Sequence, residues 1–523
     1  MSKVKKFKSF VLVLLVIAML GSITGCAKPS TGDDKKPTGE TKASMITISR
    51  PADSDNLDYV LQDGNVNIWM FNLVLEGLVK SSDDGTKIEP SLAESWDISA
   101  DKLTYTFHLR KDLKFSDGTP VKGEDWVFSL LRARDTKGTA WSFSLEAIKE
   151  VVTPDDKTVV IKLTKPWAPI MADLAMFNGS VTSKAYFDKV GAEAYSQKPI
   201  GTGPYAITEW KKGEYLLMDK NTNYWQAGLP KTDKIKFTVV PDDNTRMLQL
   251  QSGDVDITTF VPWNRMTEFK SDPKLQAVLV PSTETRYIQY NITKKKLSDV
   301  RVRQALDMAT DRAAISKTVL FGFGEDSKGF MAKAGVYWNP NVVTNPYNVE
   351  KAKALLKEAG YPNGFDITIT LPAGNTVNAS IGTILKEQWS KIGVNVNLET
   401  LETATATEKF KNMKTDITLR AWTNDMVDSS QQVDYFCVYS NIKNFYTGWD
   451  NKEIEALALA AKSELDSTKR QAMYFKIQEL YQIDMPMSTI FHVPYPVAMK
   501  KTVKGFVQTP LGNYRFENLE LVK

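Results

Sequence analysis

The C-terminal half of the chain alternates between two hydrophobic patterns, and this alternation constrains the fold more than any other feature of the sequence. Phe365–Leu371, Val394–Thr400 and Thr415–Trp422 have the composition and length of strands. Helical spacing links them near Asn378–Ile392 and Thr403–Asn412. Strands separated by single helices are joined by crossovers, so they pair in parallel. The pattern predicts an α/β lobe with a mainly parallel sheet.

A second region follows the same order earlier in the chain. Lys234–Val240 and Val255–Phe260 are predicted strands, and Asn244–Gly253 between them is a predicted helix with a capping residue at its start and glycine at its end. Between residues 82 and 198 the pattern changes to alternating strands such as Leu103–Arg110. We therefore expect two α/β lobes, with a β-rich subdomain inserted into the first.

Two loops that follow predicted strands are candidate ligand sites, because open α/β sheets bind ligands beyond the carboxyl ends of their strands. One is Pro262–Met266, which contains Trp263, and the other is Ala421–Ser430. The second loop carries an aromatic ring, hydrogen-bonding side chains and two carboxylates, which suit a ligand with an ammonium group. Its candidate ligand-binding residues are Trp422, Thr423, Asn424, Asp425 and Asp428. A solvated turn whose tryptophan covers the core is an equally good interpretation of the spacing alone.

The N-terminal segment predicts export and a lipid anchor. Four lysines precede an apolar run of eleven residues, Phe10–Leu20, which is too short to span a bilayer and is typical of a secretory signal. Residues 23–26, ending at Cys26, resemble the lipobox of bacterial lipoproteins, in which the thiol is lipidated and the chain is cut just before it. The alternative is an ordinary cleaved signal with a chance cysteine. We expect a signal peptide over 1–25, a lipidated flexible tether over 26–44, and attachment to the outer face of the bacterial cell membrane.

Composition and motifs argue against several function classes. The net charge of +4 equals the four lysines of the signal, so the rest of the chain is neutral and lacks a basic surface for nucleic acid. His108 and His492 neighbour neither a cysteine nor each other, and no GxSxG, HExxH, P-loop or CxxC motif is present. A paired-carboxylate hydrolase would carry no such motif and stays open. The prediction is a protein that is not an enzyme, needs no cofactor or metal, and buries Cys437 as a simple thiol.

Seven segments, in order along the chain, resemble the large extracytoplasmic solute-binding proteins of bacterial ABC importers, in the peptide and nickel family known as family 5. The segments are LVLEGLVKSSDDGTKIEPSLAESWDIS, YTFHLRKDLKFSDGTPVKGEDWVFSL, PIGTGPYAITEW, NTNYWQAGLPKTDKIKF, DVRVRQALDMATDRAAI, LLKEAGYPNGFDITI and PLGNYRFENLEL. The resemblance covers residues 45 to 523. It implies a monomeric, extracytoplasmic binding protein that captures an oligopeptide or dipeptide and delivers it to the permease subunits of an ABC transporter.

The resemblance also implies the fold and its boundaries. The expected fold is α/β: a two-lobe periplasmic-binding-protein-like fold (type II, cluster C) with an extra β-rich subdomain inserted in lobe I. The implied boundaries are 45–81, 199–287 and 493–523 for lobe I, 82–198 for the inserted subdomain, and 288–492 for lobe II. The two lobes close on ligand about connecting strands expected near Arg286–Asn291 and His492–Met499.

The resemblance implies a role in ligand binding for two positions. Its peptide binders hold the ligand ammonium with an aspartate in the loop that matches Ala421–Ser430, and Asp425 occupies that position. Dipeptide-specific members hold the ligand carboxylate with an arginine on the helix that matches Asn378–Ile392, and here that helix has no arginine. A strict dipeptide clamp is therefore disfavoured, and a longer peptide or another amine-bearing ligand stays open. The alternative within the family is a carrier of nickel or of a metal chelate.

Overall fold

The computed structural model describes residues 43–62, 64–137, 139, 141–325, 327–439 and 446–522. The predicted signal peptide and residues 26–42 of the predicted tether, including the predicted lipidation site Cys26, lie outside the described residues. The first described strand begins at Met45, and the Ser44 N–H before it donates to the Asp233 carboxylate at 2.8 Å. None of the helices in these ranges is long and apolar enough to cross a membrane.

Sheets of seven, five and four strands form the framework of the described residues. In spatial order, the seven-stranded sheet consists of Leu275–Val280, Tyr495–Lys500, Ile257–Thr259, Met45–Arg50, Lys234–Val239, Tyr215–Lys220 and Tyr205–Lys211. The five-stranded sheet consists of Val394–Leu401, Phe365–Pro372, Ile417–Trp422, Thr285–Tyr290 and Met487–His492. The four-stranded sheet, within the predicted inserted subdomain, consists of Ala93–Ile98, Thr104–Leu109, Thr158–Leu163 and Ile148–Asp155. Short pairs join Val79–Ser81 to Ile88–Pro90, Val503–Lys504 to Glu520–Leu521, and Val507–Gln508 to Tyr514–Arg515.

The strand directions correct the prediction of mainly parallel sheets. Phe365–Pro372 pairs in parallel with Val394–Leu401 and Ile417–Trp422, as helical crossovers require. Thr285–Tyr290 and Met487–His492 then add antiparallel pairings to the same sheet. In the seven-stranded sheet, the strand Met45–Arg50 is parallel to both of its neighbours, and every other pairing is antiparallel. Strands that enter from the other lobe or from a hairpin have no crossover helix, so nothing forces them to be parallel.

Helices flank these sheets, and the three helices predicted near Asn244–Gly253, Asn378–Ile392 and Thr403–Asn412 are all present. The described α-helices are Asn65–Phe71, Gly123–Asp135, Ile170–Leu174, Lys184–Tyr195, Asp243–Ser252, Trp263–Ser271, Lys295–Ser298, Val300–Met308, Arg312–Val319, Val349–Glu358, Thr376–Ser390, Thr403–Lys411, Ser430–Cys437, Lys452–Ser463 and Ser467–Asp484. Short 3-10 helices span Ser142–Leu145 and Phe177–Gly179. The helix Thr376–Ser390 is capped by Asn375, whose side chain accepts a hydrogen bond from the Asn378 N–H at 2.9 Å.

The chain connects the two large sheets through two short segments of the described residues. We call residues 281–284 the first crossing and residues 493–494 the second crossing. The segments are bonded to each other: the Ser282 hydroxyl donates to the Val493 carbonyl, and the Val493 N–H donates to the Glu284 carbonyl at 3.1 Å. Any rotation between the sheets must therefore act on this pair of bonded segments.

The first crossing lies just before the hinge segment predicted near Arg286–Asn291, whereas the second crossing lies within the segment predicted near His492–Met499. The segment expected near Arg286–Asn291 belongs to Thr285–Tyr290 of the five-stranded sheet, and the segment expected near His492–Met499 overlaps Tyr495–Lys500 of the seven-stranded sheet. Each of these strands is held by neighbours on both sides. Strands held in this way resist the dihedral changes that a hinge needs, which leaves the short crossings to absorb them.

The cores of the lobes are apolar and closely packed. Cys437 is buried in a lobe II cluster with Tyr287 and Tyr481, and burial raises the pKa of its thiol well above the ordinary value. The prediction of a buried thiol is confirmed. In lobe I, a Cβ added at Gly201 would lie 2.2 Å from the Val74 carbonyl oxygen, so the backbones can approach only because this residue is glycine.

Candidate functional site

A cleft of about 530 Å³ lies between the two large sheets. Lobe I contributes Trp263, which follows the strand Ile257–Thr259, together with residues of the second crossing and of the strand after it. Lobe II contributes Arg286, beside the first crossing, and the first turn of the helix Thr376–Ser390. The cleft thus opens at the carboxyl end of one strand and at the amino end of one helix, where backbone and side-chain polar groups are exposed to a ligand.

The loop over residues 423–429, here called the Asp425 loop, is shaped by Asn424. The Asn424 side-chain amide donates to the carbonyl oxygens of Met426 and Asp428, both at 2.9 Å. Its backbone is bonded to Thr283 of the first crossing, whose hydroxyl donates to the Asn424 carbonyl at 2.8 Å and accepts from the Asn424 N–H at 3.0 Å. Asn424 therefore ties the loop to the segment about which the lobes would rotate.

Asp425 presents a carboxylate that is only half satisfied. Its N–H donates to Gln431 Oε1 at 2.8 Å, and Gln431 Nε2 donates back to Asp425 Oδ2 at 3.0 Å. Although the residue as a whole is only partly buried, its Oδ1 is enclosed and accepts no hydrogen bond from the described residues. Burial raises the pKa of Asp425 to about 7, against the opposing effect of the Gln431 hydrogen bond. A buried acceptor without a donor is costly, which makes this oxygen a candidate position for the donor of a ligand.

Asp428, the second carboxylate of the loop, is fully engaged by protein. Arg470 Nη2 donates to Asp428 Oδ1 at 2.8 Å, and Arg470 Nη1 pairs with Oδ2. The Ser430 N–H adds a further bond to Oδ1 at 2.8 Å. Both side chains are buried. The pair anchors the loop to the helix Ser467–Asp484. Both carboxylate oxygens of Asp428 already accept hydrogen bonds from protein donors.

Trp422 and Thr423 lie where the strand meets the loop. The Trp422 ring packs against Tyr435 at 4.8 Å and Phe436 at 5.8 Å, both on the helix that follows the loop. Thr423 Oγ1 accepts from Asn65 Nδ2 of lobe I at 3.4 Å. Trp422 thus packs within lobe II, whereas Thr423 contacts the opposite lobe.

The structure separates the predicted site residues into two groups. Trp263 lines the cleft. The lining does not include Trp422, Thr423, Asn424, Asp425 or Asp428. Tyr495 stands between the two groups, since it lines the cleft while its hydroxyl lies within electrostatic range of Asp425. A ligand that reaches both groups must pass this tyrosine.

The Asp425 loop packs against the other side of the cleft. Met426 and Val427 belong to a hydrophobic cluster that spans lobe I and the predicted inserted subdomain, although the loop continues a strand of lobe II. Nearby, the Phe143 ring of the inserted subdomain meets the Tyr435 ring edge-on at 5.6 Å. The two sides of the cleft are therefore in contact around the loop, and this contact encloses the Asp425 carboxylate.

Charged groups continue this contact between the lobes. Lys462 pairs with Asp434 in lobe II, and its carbonyl accepts from the Ala168 N–H of the inserted subdomain at 2.7 Å. Trp167 Nε1 donates to Asp173 Oδ2 at 2.7 Å. Burial raises the pKa of Asp434 to about 6 and raises that of Asp173 well above its ordinary value. This buried polar contact would have to separate when the lobes open.

The histidines lie apart from the cleft chemistry. His108 Nε2 is 2.8 Å from an Asp97 oxygen on an exposed sheet face. His492 Nδ1 is 3.0 Å from Thr285 Oγ1, and burial lowers the pKa of His492 to about 4. In the part of the chain that the structure describes, no group of three or more His, Cys, Asp or Glu side chains is arranged to hold a metal ion.

Sequence reasoning missed three polar residues of this region. Glu284 lines the cleft from the first crossing, and Arg286 lines it from the strand that follows, Thr285–Tyr290. Gln431 positions the Asp425 carboxylate through a hydrogen bond. The arginine in the otherwise uncharged strand TRYIQY was a signal for Arg286, because a charge in a largely buried strand needs a partner or a function. The other two carried no signal in sequence.

Comparison with known proteins identifies relatives over most of the chain. The family described as bacterial extracellular solute-binding proteins, family 5 Middle, matches residues 87–444. The dipeptide-binding protein of Escherichia coli (strain K12) is 32% identical over 464 residues, which cover 83% of this chain and 86% of that protein. Heme-binding protein A of Haemophilus influenzae is 33% identical over 466 residues, covering 84% of this chain and 85% of that protein.

A solved structure agrees with the whole architecture. The ABC transporter-associated periplasmic binding protein DppA from Helicobacter pylori, in complex with the peptide STSA, superposes with a TM-score of 0.81 at 27% identity. The match covers 92% of this chain and 98% of that chain. The predicted two-lobe α/β fold is confirmed.

Proposed function

Because the chain belongs to family 5 of the bacterial extracellular solute-binding proteins, which bind substrates for ABC importers and are not enzymes, we propose that its two lobes capture a peptide by the amino terminus. The ligand ammonium rests on Asp425. The observation that carries the proposal is the enclosed Oδ1 of Asp425, which accepts no hydrogen bond from the described residues.

An ammonium group would resolve the electrostatic cost of this carboxylate. Burial raises the pKa of Asp425 to about 7, so ionising it in the ligand-free protein is unfavourable. A cation against Oδ1 favours the ionised form and supplies charge-assisted hydrogen bonds to the oxygen that Gln431 does not reach. Asp428 does not compete, because Arg470 and the Ser430 N–H already occupy it.

Other groups complete the site in defined roles. Asn424 holds the loop against the first crossing, and Thr423 bridges to Asn65 of the opposite lobe. Trp422 supports the loop from lobe II, and Trp263 faces the ligand across the cleft. Binding at Asp425 therefore acts on the segment that joins the lobes, which couples ligand capture to lobe closure.

The relatives support a peptide as the ligand class. The E. coli relative is named a dipeptide-binding protein, and the H. pylori structure contains a tetrapeptide. The helix Thr376–Ser390 carries no arginine for a dipeptide carboxylate. We therefore favour ligands longer than a dipeptide, with a metal chelate or haem as the alternatives that the same experiment addresses.

The protein works outside the cytoplasm, held at the membrane by lipid on Cys26. The support is the sequence alone: a signal-like apolar run, the lipobox-like residues 23–26 and a polar tether. Two or more acyl chains give stable anchoring where one chain is marginal. An anchored binding protein stays close to the permease subunits that receive its ligand.

Calorimetry with free and N-acetylated peptides tests the proposal. A pooled library of two- to five-residue peptides, screened by thermal shift, supplies the tightest peptide. Asp425→Ala should weaken its binding about 30- to 3,000-fold, as expected for about 2–5 kcal/mol lost with one partner of a buried charged pair. The N-acetylated form should bind wild type poorly and lose little more in the variant.

A matched control is Asp83→Ala, which removes an exposed carboxylate far from the loop in sequence and should leave affinity unchanged. Additive losses from acetylation and from Asp425→Ala would show that Asp425 does not touch the ammonium. Stabilisation by ferric EDTA or hemin, with none by any peptide, would replace the peptide by a chelate.

A further inference from the structure

Two arginines line the cleft, Arg246 and Arg286, and they differ in what their guanidinium groups already bind. Arg246 Nη1 donates to the Val240 carbonyl at 2.9 Å, and Nη2 donates to Asp243 and to the Phe260 carbonyl at 3.2 Å. Its side chain is 1% exposed. Arg246 is thus committed to the fold of lobe I and has little capacity left for a ligand.

Arg286 is only partly engaged. Its Nε donates to Glu284 Oε1 at 3.0 Å, and its Nη2 lies 2.9 Å from the same oxygen. Both contacts share one carboxylate oxygen, so the planar fork of the guanidinium is not matched by two acceptors. Nη1 has no acceptor among the described residues, and the side chain is 22% exposed where it lines the cleft. The group retains both charge and donors for a second anion.

The surroundings of Arg286 suit a carboxylate. Thr376 and Ser380, on the first two turns of the helix Thr376–Ser390, line the same cleft from lobe II and carry hydroxyl groups. In the sheet, Arg286 pairs in register with Ala421, only four positions before Asp425. A cationic group and an anionic group therefore flank the same strand end, with the cleft between the lobes beside them.

We propose that Arg286 is a specificity-determining residue that binds a carboxylate of the ligand. The ligand carboxylate replaces Glu284 as the partner of the guanidinium group. This inference rests on the proposed function, because it assigns the second end of a ligand whose ammonium lies on Asp425. In the ligand-free protein Glu284 neutralises Arg286. A bound carboxylate accepts from Nη1 and Nη2 instead, and Glu284 is released from the pair.

This exchange predicts opposite effects for the two members of the pair. Arg286→Gln removes the ligand partner, so it should weaken a peptide with a free carboxyl terminus about 10- to 100-fold. Glu284→Gln removes the competitor, so it should tighten the same peptide a few-fold. A peptide with an amidated carboxyl terminus should bind wild type more weakly than the free acid and respond to neither substitution. A merely structural pair would make both variants weaken both peptides alike.

Calorimetry on the full mature chain with paired free-acid and amide peptides decides the question. Arg265→Gln is the matched control, because Arg265 pairs with Glu268 at 2.7 Å, is 23% exposed and does not line the cleft. Thermal unfolding of each ligand-free variant checks that it is folded. Equal binding of acid and amide by wild type, or weaker acid binding in Glu284→Gln, would overturn the assignment of Arg286.

The same measurements separate this inference from the proposed function. If Asp425→Ala abolishes binding while Arg286→Gln changes nothing, the ammonium site stands and the carboxylate site is wrong. If Arg286→Gln weakens only the free acid while Asp425→Ala changes nothing, the carboxylate site stands and the ammonium site is wrong. Absence of binding by either peptide set overturns both.

Discussion

Replacing Asp425 with asparagine should stabilise the ligand-free protein at pH 8 while removing most of its affinity for ligand. Burial raises the pKa of Asp425 to about 7, so the folded protein holds this proton more tightly than the unfolded chain, in which an aspartate has a pKa of ~3.9. The stability that this proton contributes is complete below the unfolded pKa and is lost as the pH rises through 7. Asparagine cannot ionise, so the variant does not lose this stability as the pH rises.

The size of the effect follows from the pKa and from the local hydrogen bonds. A shift of roughly three pKa units corresponds to about 4 kcal/mol at 1.36 kcal/mol per unit. Asparagine would keep the acceptor that Gln431 uses but place an amide donor at the enclosed Oδ1 position, at a cost of about 1–3 kcal/mol. The net gain at pH 8 is about 1–3 kcal/mol. With an unfolding entropy of ~2.1 cal/mol/K per residue over roughly 480 residues, the Tm rises by about 1–3 °C.

Scanning calorimetry from about pH 4.5 to 8.5, in the absence of ligand, measures this difference. Asp425→Asn should be no more stable than wild type at the acidic end and more stable above pH 7. Asp83→Asn, at an exposed position, should follow wild type throughout. If the Tm curves of Asp425→Asn and wild type run parallel, Asp425 titrates alike in the folded and unfolded states, and its carboxylate is not the proposed ligand anchor.

Three further changes should have distinct outcomes. The Kd for an amine-terminated peptide should rise about tenfold per pH unit below pH 7, because the ligand needs the ionised Asp425 whose pKa is about 7 in the free protein; a Kd that calorimetry finds constant from pH 8 to 5 would contradict this. Asp428→Asn should lower the Tm of the ligand-free protein by about 3–5 °C, because it leaves Arg470 buried without its anion; an unchanged Tm with weakened binding would instead assign Asp428 to the ligand. Cys26→Ala should leave the protein unprocessed or release it to the medium, and mature protein that still fractionates with membranes would refute the lipid anchor.

Local patterns in the sequence predicted the elements that carry the site. The helix expected near Asn378–Ile392 spans Thr376–Ser390, and the strand expected over Thr415–Trp422 spans Ile417–Trp422. Periodicity and capping residues act between near neighbours in sequence, so they can be read without the fold. The ends of these strands, and hence the candidate loops, followed from the same information.

The sequence by itself determined which loop would carry the candidate carboxylates, and only the tertiary structure decided what each of them does. Asp425 and Asp428 lie in one loop, yet Arg470, 42 residues beyond Asp428, pairs with Asp428, and among the described residues no cation pairs with Asp425. Strand pairing likewise brings Arg286 into the cleft beside a loop more than a hundred residues away. Electrostatic energies depend on distance and burial in the folded protein, whereas separation along the chain sets neither of them.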